Sequence, residues 1–181
     1  MNQELKNKIM EILLKENKKE YVCHIQYVVK IGLELAEENK VDPNIVEIAC
    51  LLHDIGRDKE LPGEHHSQTG KRIAEEILKD SLLSQEQQKK IVQCILAHGF
   101  DDTPLSTEEQ IVRSADAGSK VEYHEAFMLM CKKITYEERL AWGNKYLQKG
   151  FEKISIQSYK EKVEQKYTAI NAIYQKILSM I

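Results

Sequence analysis

The polar and apolar positions of the chain follow a helical period almost throughout. Apolar residues recur at spacings of three and four, and no segment of four or more residues alternates cleanly between apolar and polar side chains. This pattern predicts an all-α protein in which sheet is minor or absent. A first short helix is expected to end near Asn17, and a second helix to run to about Asn39.

The third predicted helix is the most apolar one. Asp42 is expected to cap it and Pro43 to occupy its first position, since proline needs no amide partner there. The segment is almost wholly apolar from Ile45 to Leu52 and is expected to stop at Gly56. A helix that is apolar all round belongs in the core, so this helix should be central.

Capping residues and hydrophobic periodicity predict further helices after residue 60. They are expected at about residues 66–79, from the capping box of Ser84 and Gln87 to Gly99, and from Ser106 and Glu109 onward. Residues from about 136 to 181 are helical by the same criterion. Tyr159, Tyr167 and Tyr174 have three alternative roles: packing on the bundle, which is the default, lining the seam of a homodimer, or stacking on a base.

Length and composition narrow the class of protein. A chain of 181 residues suits one domain over residues 1–181, large enough to fold without a disulfide or a structural metal. The 26 Lys and Arg against 29 Asp and Glu give a formal charge of -3, which disfavours binding to DNA or RNA polymers. The four cysteines form no CxxC pair and are interpreted as reduced thiols. No long apolar segment is present, so a cytoplasmic protein without a membrane partner is expected.

The placement of the histidines carries the chemical information. Four of the six histidines fall on four different predicted helices, where they could converge in the core of a bundle: His24, His53, His66 and His98. His53 and Asp54 precede the predicted stop at Gly56. Asp116 lies in the sixth helix within a run of small residues that permits close approach of another helix. A buried carboxylate there would require a charged partner.

The ordered set of His24, the pair His53-Asp54 and Asp116 resembles the HD superfamily of metal-dependent phosphohydrolases. The segment LLHDIGR resembles the HDIG form of its motif, and the resemblance spans about residues 20–122. His66 with Gly70 four positions later, and His98 near a helix end, resemble the extra histidines of HD proteins with two metals. His65 competes with His66 for that role, and the offset to Gly70 favours His66.

The resemblance implies a fold, a metal site and a reaction. The fold would be an HD-domain helical bundle with an additional long helical segment at the C-terminus, over about residues 136–181. Asp54 would bridge two metals, with His24, His53 and Asp116 completing the first site and His66 and His98 the second. Imidazole and carboxylate ligands suit divalent or mixed-valence transition metals, with iron or manganese favoured over cobalt, nickel, zinc or magnesium. A hydroxide bridging the metals would be the nucleophile.

The substrate is expected to be a small phosphorylated metabolite, with a nucleotide favoured. Arg57 and Lys59 follow the HD pair and are predicted to act with Asp54 in catalysis by holding a substrate phosphate. The HD-GYP phosphodiesterases are a poor match, because the chain contains no Gly-Tyr-Pro. Two alternatives stay open: a non-catalytic HD module that senses metal or nucleotide, and a di-iron oxygenase of the HD class.

Overall fold

The computed structural model describes residues 3–16, 19–99 and 106–180. Within these ranges the chain is helical and contains no strand, so the predicted all-α class is confirmed. The helices are α1 (Gln3–Glu16), α2 (Lys19–Asn39), α3 (Pro43–Leu52), α4 (His66–Leu78), α5 (Gln85–Gly99), α6 (Thr107–Glu122), α7 (His124–Met128), α8 (Tyr136–Lys153) and α9 (Gln157–Leu178). The short helix α7 was not predicted.

Helix α3 lies in the core and begins as its sequence predicts. Asp42 accepts a hydrogen bond of 2.9 Å from the amide of Asn44, and Pro43 takes the first helical position. The helix ends at Leu52, however, four residues before the predicted stop at Gly56. Beyond Leu52 the backbone bonds join residues three apart, as in the 3.0 Å bond from the Ile55 amide to the Leu52 carbonyl, so the chain tightens into turns.

Gly56 therefore does not cap α3. A Cβ atom added there would lie 2.2 Å from the carbonyl oxygen of His66 and 2.3 Å from the amide nitrogen of Gly70. Only glycine allows the turn after α3 to approach the start of α4 so closely. This approach brings the His53-Asp54 pair next to His66.

Helix α6 is the element against which most others pack. It contacts α2, α3, α5, α8 and α9. Its start is capped as predicted, because the Glu109 amide donates to the Ser106 hydroxyl over 3.1 Å. Its run of small residues permits close packing. A Cβ at Gly118 would lie 2.3 Å from the ring of Tyr159 in α9.

The C-terminal segment is helical as predicted, but it is divided into α8 and α9. The break comes at residues 154–156, where the amides of Ser155 and Ile156 donate to the hydroxyl of Ser114 in α6 over 2.9 and 3.0 Å. Tyr159 and Tyr174 are buried in the hydrophobic core. This burial agrees with core packing as the default role of these tyrosines.

Candidate metal centre

The six residues predicted as metal ligands converge on one cluster. They are placed by the second turn of α2 for His24, the turns after α3 for His53 and Asp54, the first residue of α4 for His66, the last turn of α5 for His98 and the middle of α6 for Asp116. We call these six residues the ligand cluster. All lie in the interior or at its edge, and Asp54 is only 5% exposed.

The Asp54 carboxylate is the centre of the cluster. Its Oδ1 atom lies 3.3 Å from Nε2 of His66 and 3.4 Å from Nε2 of His98, and its Oδ2 atom lies 3.5 Å from Nε2 of His53. The Asp116 Oδ1 atom lies 3.4 Å from Nε2 of His24 and 3.8 Å from Nε2 of His53. The cluster thus divides into two groups that share Asp54.

Each group has donors spaced for a cation. The ligand atoms of His24, His53 and Asp54 all lie within 4.8 Å of one another, and so do those of Asp54, His66 and His98. Asp116 joins the first group through its contacts with His24 and His53. We call His24, His53, Asp54 and Asp116 the first group, and Asp54, His66 and His98 the second group.

Backbone and hydroxyl groups orient the imidazoles. Nδ1 of His53 lies 2.7 Å from the carbonyl of Cys50, and Nδ1 of His98 lies 2.6 Å from the carbonyl of Ile95. A carbonyl only accepts, so both Nδ1 atoms carry a proton and both Nε2 atoms face the cluster. Nε2 of His53 is buried and has no hydrogen-bond partner among the residues that the structure describes. An orphaned buried acceptor among carboxylates is the arrangement a metal ion would complete.

The third oriented imidazole is that of His24. The Ser119 hydroxyl donates to the Asp116 carbonyl over 2.7 Å, and it lies 3.3 Å from Nδ1 of His24. Because the hydroxyl proton is used on the carbonyl, Nδ1 of His24 donates to the hydroxyl oxygen. Nε2 of His24 faces Asp116, 3.4 Å from its Oδ1 atom.

The protonation states favour binding of a cation. Burial lowers the pKa of His53 to about 4 and that of His66 to about 3, so both rings are neutral at pH 7. Burial alone would raise the pKa of Asp54 and Asp116. Interactions with the neighbouring imidazoles and with Arg57 outweigh burial at Asp54, and interactions with Lys120 and the imidazoles outweigh it at Asp116, so both pKa values lie well below their usual range. Neutral imidazoles and ionised carboxylates are the forms that bind metals.

Arg57 and Lys59 occupy different places. The Arg57 guanidinium donates from Nε to Asp54 Oδ2 over 2.9 Å and from Nη2 to Oδ1 over 2.8 Å, and its side chain is 45% exposed. Lys59 lines a groove of about 390 Å³ with Ile12 and Arg72, and none of the residues lining that groove belongs to the ligand cluster. Arg57 thus contacts the ligand cluster and Lys59 lines the groove, and the pairing of the two cations on one phosphate stays a prediction.

Two further polar residues contact the cluster and were not predicted. Nζ of Lys120 lies 2.6 Å from Oδ1 of Asp116, and the Tyr21 hydroxyl donates to the Asp54 carbonyl over 3.3 Å. Burial raises the pKa of Tyr21, so its hydroxyl keeps the proton. Lys120 stands four residues after Asp116 and Tyr21 three before His24. Helical spacing from the predicted ligands is therefore a signal by which both could have been found.

The two remaining histidines have structural roles. His65 caps α4, where its ring accepts the Ser67 amide over 3.2 Å. His124 is buried, with Nδ1 2.9 Å from the Lys120 carbonyl and Nε2 2.7 Å from the Tyr174 hydroxyl. It therefore ties α7 to α9. The choice of His66 over His65 for the cluster agrees with this geometry.

Comparison with known proteins identifies the family. A family model for the HD domain matches residues 21–119, which contain the whole ligand cluster. The chain belongs to the HD domain family. The resemblance of the His24, His53-Asp54 and Asp116 set to this family is thereby confirmed.

Curated relatives of this HD domain are named Ribonuclease Y. The protein of Borrelia garinii subsp. bavariensis is 37% identical over 99 residues, which make up 53% of this chain and 18% of that protein. The protein of Chloroflexus aurantiacus is 30% identical over 126 residues, 67% of this chain and 23% of that protein. The chain thus matches about a fifth of the length of these relatives.

Solved structures share the fold over nearly the whole chain. Bacillus subtilis YpgQ aligns with a TM-score of 0.69 at 18% identity, covering 98% of this chain and 94% of that chain. Its complex with ADP aligns with a TM-score of 0.67 at 17% identity, over 98% and 93%. A predicted HD superfamily hydrolase from an uncultured Thermotogales bacterium aligns with a TM-score of 0.63 at 22% identity, over 98% and 91%.

None of the helices in the described part of the chain is long and apolar enough to cross a membrane.

Proposed function

We propose that this HD domain is a metal-dependent phosphohydrolase with two metal ions. The observation that carries the proposal is the pair of groups that share Asp54, with the Nε2 atoms of His24, His53 and His98 turned toward the carboxylates. A set of imidazoles and carboxylates without thiolate is typical of a catalytic site rather than a structural zinc site. Iron or manganese fits this set best.

The first group would hold one ion and the second group the other, with the Asp54 carboxylate common to both. When bound, two such ions would lower the pKa of a water molecule and neutralise charge on a phosphoryl group. Residues of the chain orient the ligands and contact the substrate. The carbonyls of Cys50 and Ile95 fix the ring orientation of His53 and His98, and Arg57 stands half exposed beside Asp54. Arg57 is the cation we assign to a phosphate of the substrate.

The substrate we propose is a nucleotide. A neighbour with the same fold, YpgQ, has been solved in complex with ADP, and the net charge of -3 gives this chain no general attraction for long polyanions. A second candidate is the phosphodiester backbone of RNA. It is favoured by the relatives named Ribonuclease Y, which are up to 37% identical over the HD region.

The experiment that tests the function is hydrolysis of a substrate panel. The purified chain, supplied separately with Mn²⁺, Fe²⁺ and Mg²⁺, is incubated with nucleoside mono-, di- and triphosphates, dinucleoside polyphosphates and a short single-stranded RNA. Products are resolved by anion-exchange chromatography. We expect turnover of a nucleotide, loss of it in Asp54→Ala, and full turnover in Asp80→Ala, which alters an exposed aspartate in the turn after α4.

The outcomes separate the candidates. Cleavage of the RNA with no turnover of any nucleotide would replace the proposed substrate by the second candidate. Turnover by Asp54→Ala at the parental rate would refute the assigned site. No turnover of any compound, with metal bound, would favour a non-catalytic sensor module.

A further inference from the structure

An aromatic cluster adjoins the first group of ligands. Phe127 of α7 contacts His24, with ring centroids 6.3 Å apart. Trp142 of α8 stacks on Phe127 with centroids 4.8 Å apart and ring planes at 11°. Tyr146, one turn further along α8, lies 4.8 Å from Trp142 and 5.8 Å from Phe127. We call these three rings the aromatic wall.

The three rings of the aromatic wall differ in how deeply they are buried. Phe127 is 7% exposed, whereas Trp142 and Tyr146 keep part of their surface open to solvent. The connection just before α8 is exposed along residues 132–135. The wall therefore runs from the buried His24 side of the ligand cluster out to the surface of the molecule.

The chemistry of the two neighbouring regions selects one class of compound. The ligand cluster, with Arg57 beside it, suits phosphate groups, while the wall offers flat π-systems. Aromatic side chains next to a phosphate-binding region bind nucleobases by stacking, and every base has such a face. A nucleotide carries both groups, a phosphate and an aromatic base, within one short molecule.

We propose that the aromatic wall binds the base of the nucleotide whose phosphate lies at the ligand cluster. This inference rests on the proposed function and deepens it, because it says which side of the site the base occupies. The base lies on the side of His24, α7 and α8. Stacking recognises an aromatic ring and not a particular hydrogen-bonding edge, so the wall selects nucleotides over simple phosphate esters without choosing one base.

The chain provides its own probe for the test, since Trp142 is its single tryptophan. The intact chain with Mg²⁺ is titrated with α,β-methylene-ADP, and in parallel with methylenediphosphonate, which has the same bridged phosphorus groups but no nucleoside. Tryptophan emission and calorimetric Kd are recorded for both. We expect the nucleotide analogue to quench Trp142 and to bind about tenfold more tightly than methylenediphosphonate, as one stacked base would contribute.

Variants separate stacking from packing. Trp142→Leu should weaken binding of the nucleotide analogue about tenfold and leave methylenediphosphonate unchanged, whereas Trp142→Phe should retain most of the affinity. Tyr136→Leu is the matched control, because Tyr136 is an exposed aromatic residue of α8 outside the wall. Its Kd for both compounds should equal that of the parent.

The failures of the two proposals are distinguishable. Equal affinity for the two compounds, or calorimetric binding of the analogue without a change in Trp142 emission, overturns the base site and leaves the phosphohydrolase standing. Binding of neither compound overturns the nucleotide as substrate, and the base site with it. The emission measurement uses the parental chain, so it decides the matter even if Trp142→Leu fails to fold.

Discussion

The two ligand groups are built on different parts of their helices. In the first group, His24 projects from the second turn of α2 and Asp116 from the middle of α6, and these two helices pack directly on each other. In the second group, His66 is the first residue of α4 and His98 stands in the last turn of α5. The first group is thus held by the interior of the bundle, and the second by helix ends that meet the turn after α3.

The charges of the two groups also differ. The first group contains two carboxylates, those of Asp54 and Asp116, whereas the second has only Asp54. Lys120 lies 2.6 Å from Asp116 and offsets one of the negative charges of the first group. We therefore expect the first group to bind its ion more tightly than the second group binds its own. Lys120 should make this difference in affinity smaller.

The strongest test of the division into two groups is replacement of Asp54, the residue that both groups share. Asp54→Ala should release both ions and reduce hydrolysis by more than the roughly 10- to 100-fold that loss of an outer-shell partner costs. Elemental mass spectrometry gives the ions per chain, and turnover is measured on the same sample. Retention of one ion would mean that one group binds without Asp54 and that the carboxylate is not common to the two.

Replacement of one histidine from each group should separate the ions. His98→Ala should leave one ion per chain, and so should His24→Ala, but the remaining ion should bind more tightly in His98→Ala, where the first group is intact. The fold should persist in both, since the core does not depend on metal. Circular dichroism checks the fold, and competition with a chelator ranks the affinities. Two ions in His98→Ala would remove His98 from the site.

Acid should destabilise the metal-free protein through imidazoles of both groups. A histidine in the unfolded chain has a pKa near 6.5, whereas burial lowers the pKa of folded His53 to about 4 and of His66 to about 3. Between these values the unfolded chain binds more protons, so the free energy of unfolding rises with pH and is lost on acidification. For His53, the effect is on the order of 3 kcal/mol.

The measurement for this effect is the thermal midpoint in chelator between pH 7.5 and 4.5. His53→Asn and His66→Asn should each flatten the fall, because either change removes a histidine that the unfolded chain protonates in this range and the folded chain does not. A midpoint that does not fall toward pH 4.5 would mean that the unfolded chain gains no protons relative to the folded one.

The sequence allowed prediction of features that are set locally and missed those set by packing. Asp42 with Pro43, and Ser106 with Glu109, mark helix starts because a cap bonds to amides two or three residues away. The end of α3 was placed wrongly because a glycine after an apolar run resembles a helix cap. Gly56 instead makes room for α4, which only the folded chain shows.

The same distinction applies to the C-terminal segment and to the ligand cluster. The break between α8 and α9 depends on Ser114, which lies about forty residues earlier in the chain. The hydrophobic periodicity of the C-terminal segment therefore does not reveal the break. The six predicted ligands could be found because their order along the chain is a family motif. Lys120 and Tyr21 lie outside that motif and enter through their helical spacing alone.

Lys120 gives a direct test of the charge difference between the groups. Lys120→Met removes the cation beside Asp116, so the first group should bind its ion about tenfold more tightly, roughly 1.4 kcal/mol. The second group should be unaffected. Competition with a chelator in His98→Ala, with and without Lys120→Met, isolates the first group. Weaker binding of the ion by Lys120→Met would show that Lys120 instead holds Asp116 in place. The control is Lys145→Met, which changes an exposed lysine of α8.

Arg57 contacts the shared carboxylate and should therefore affect substrate more than either ion. Its two bonds to Asp54 place a half-exposed guanidinium at the cluster, where it can meet a phosphate. Arg57→Ala should raise KM about fivefold with little change in kcat, because a charge-assisted contact at a partly exposed site is lost. Arg72→Ala, which removes an exposed arginine paired with Glu64, should change neither constant. A fall in kcat of Arg57→Ala at unchanged KM, together with lost metal, would mean that Arg57 orients Asp54 for the ions and does not bind the substrate.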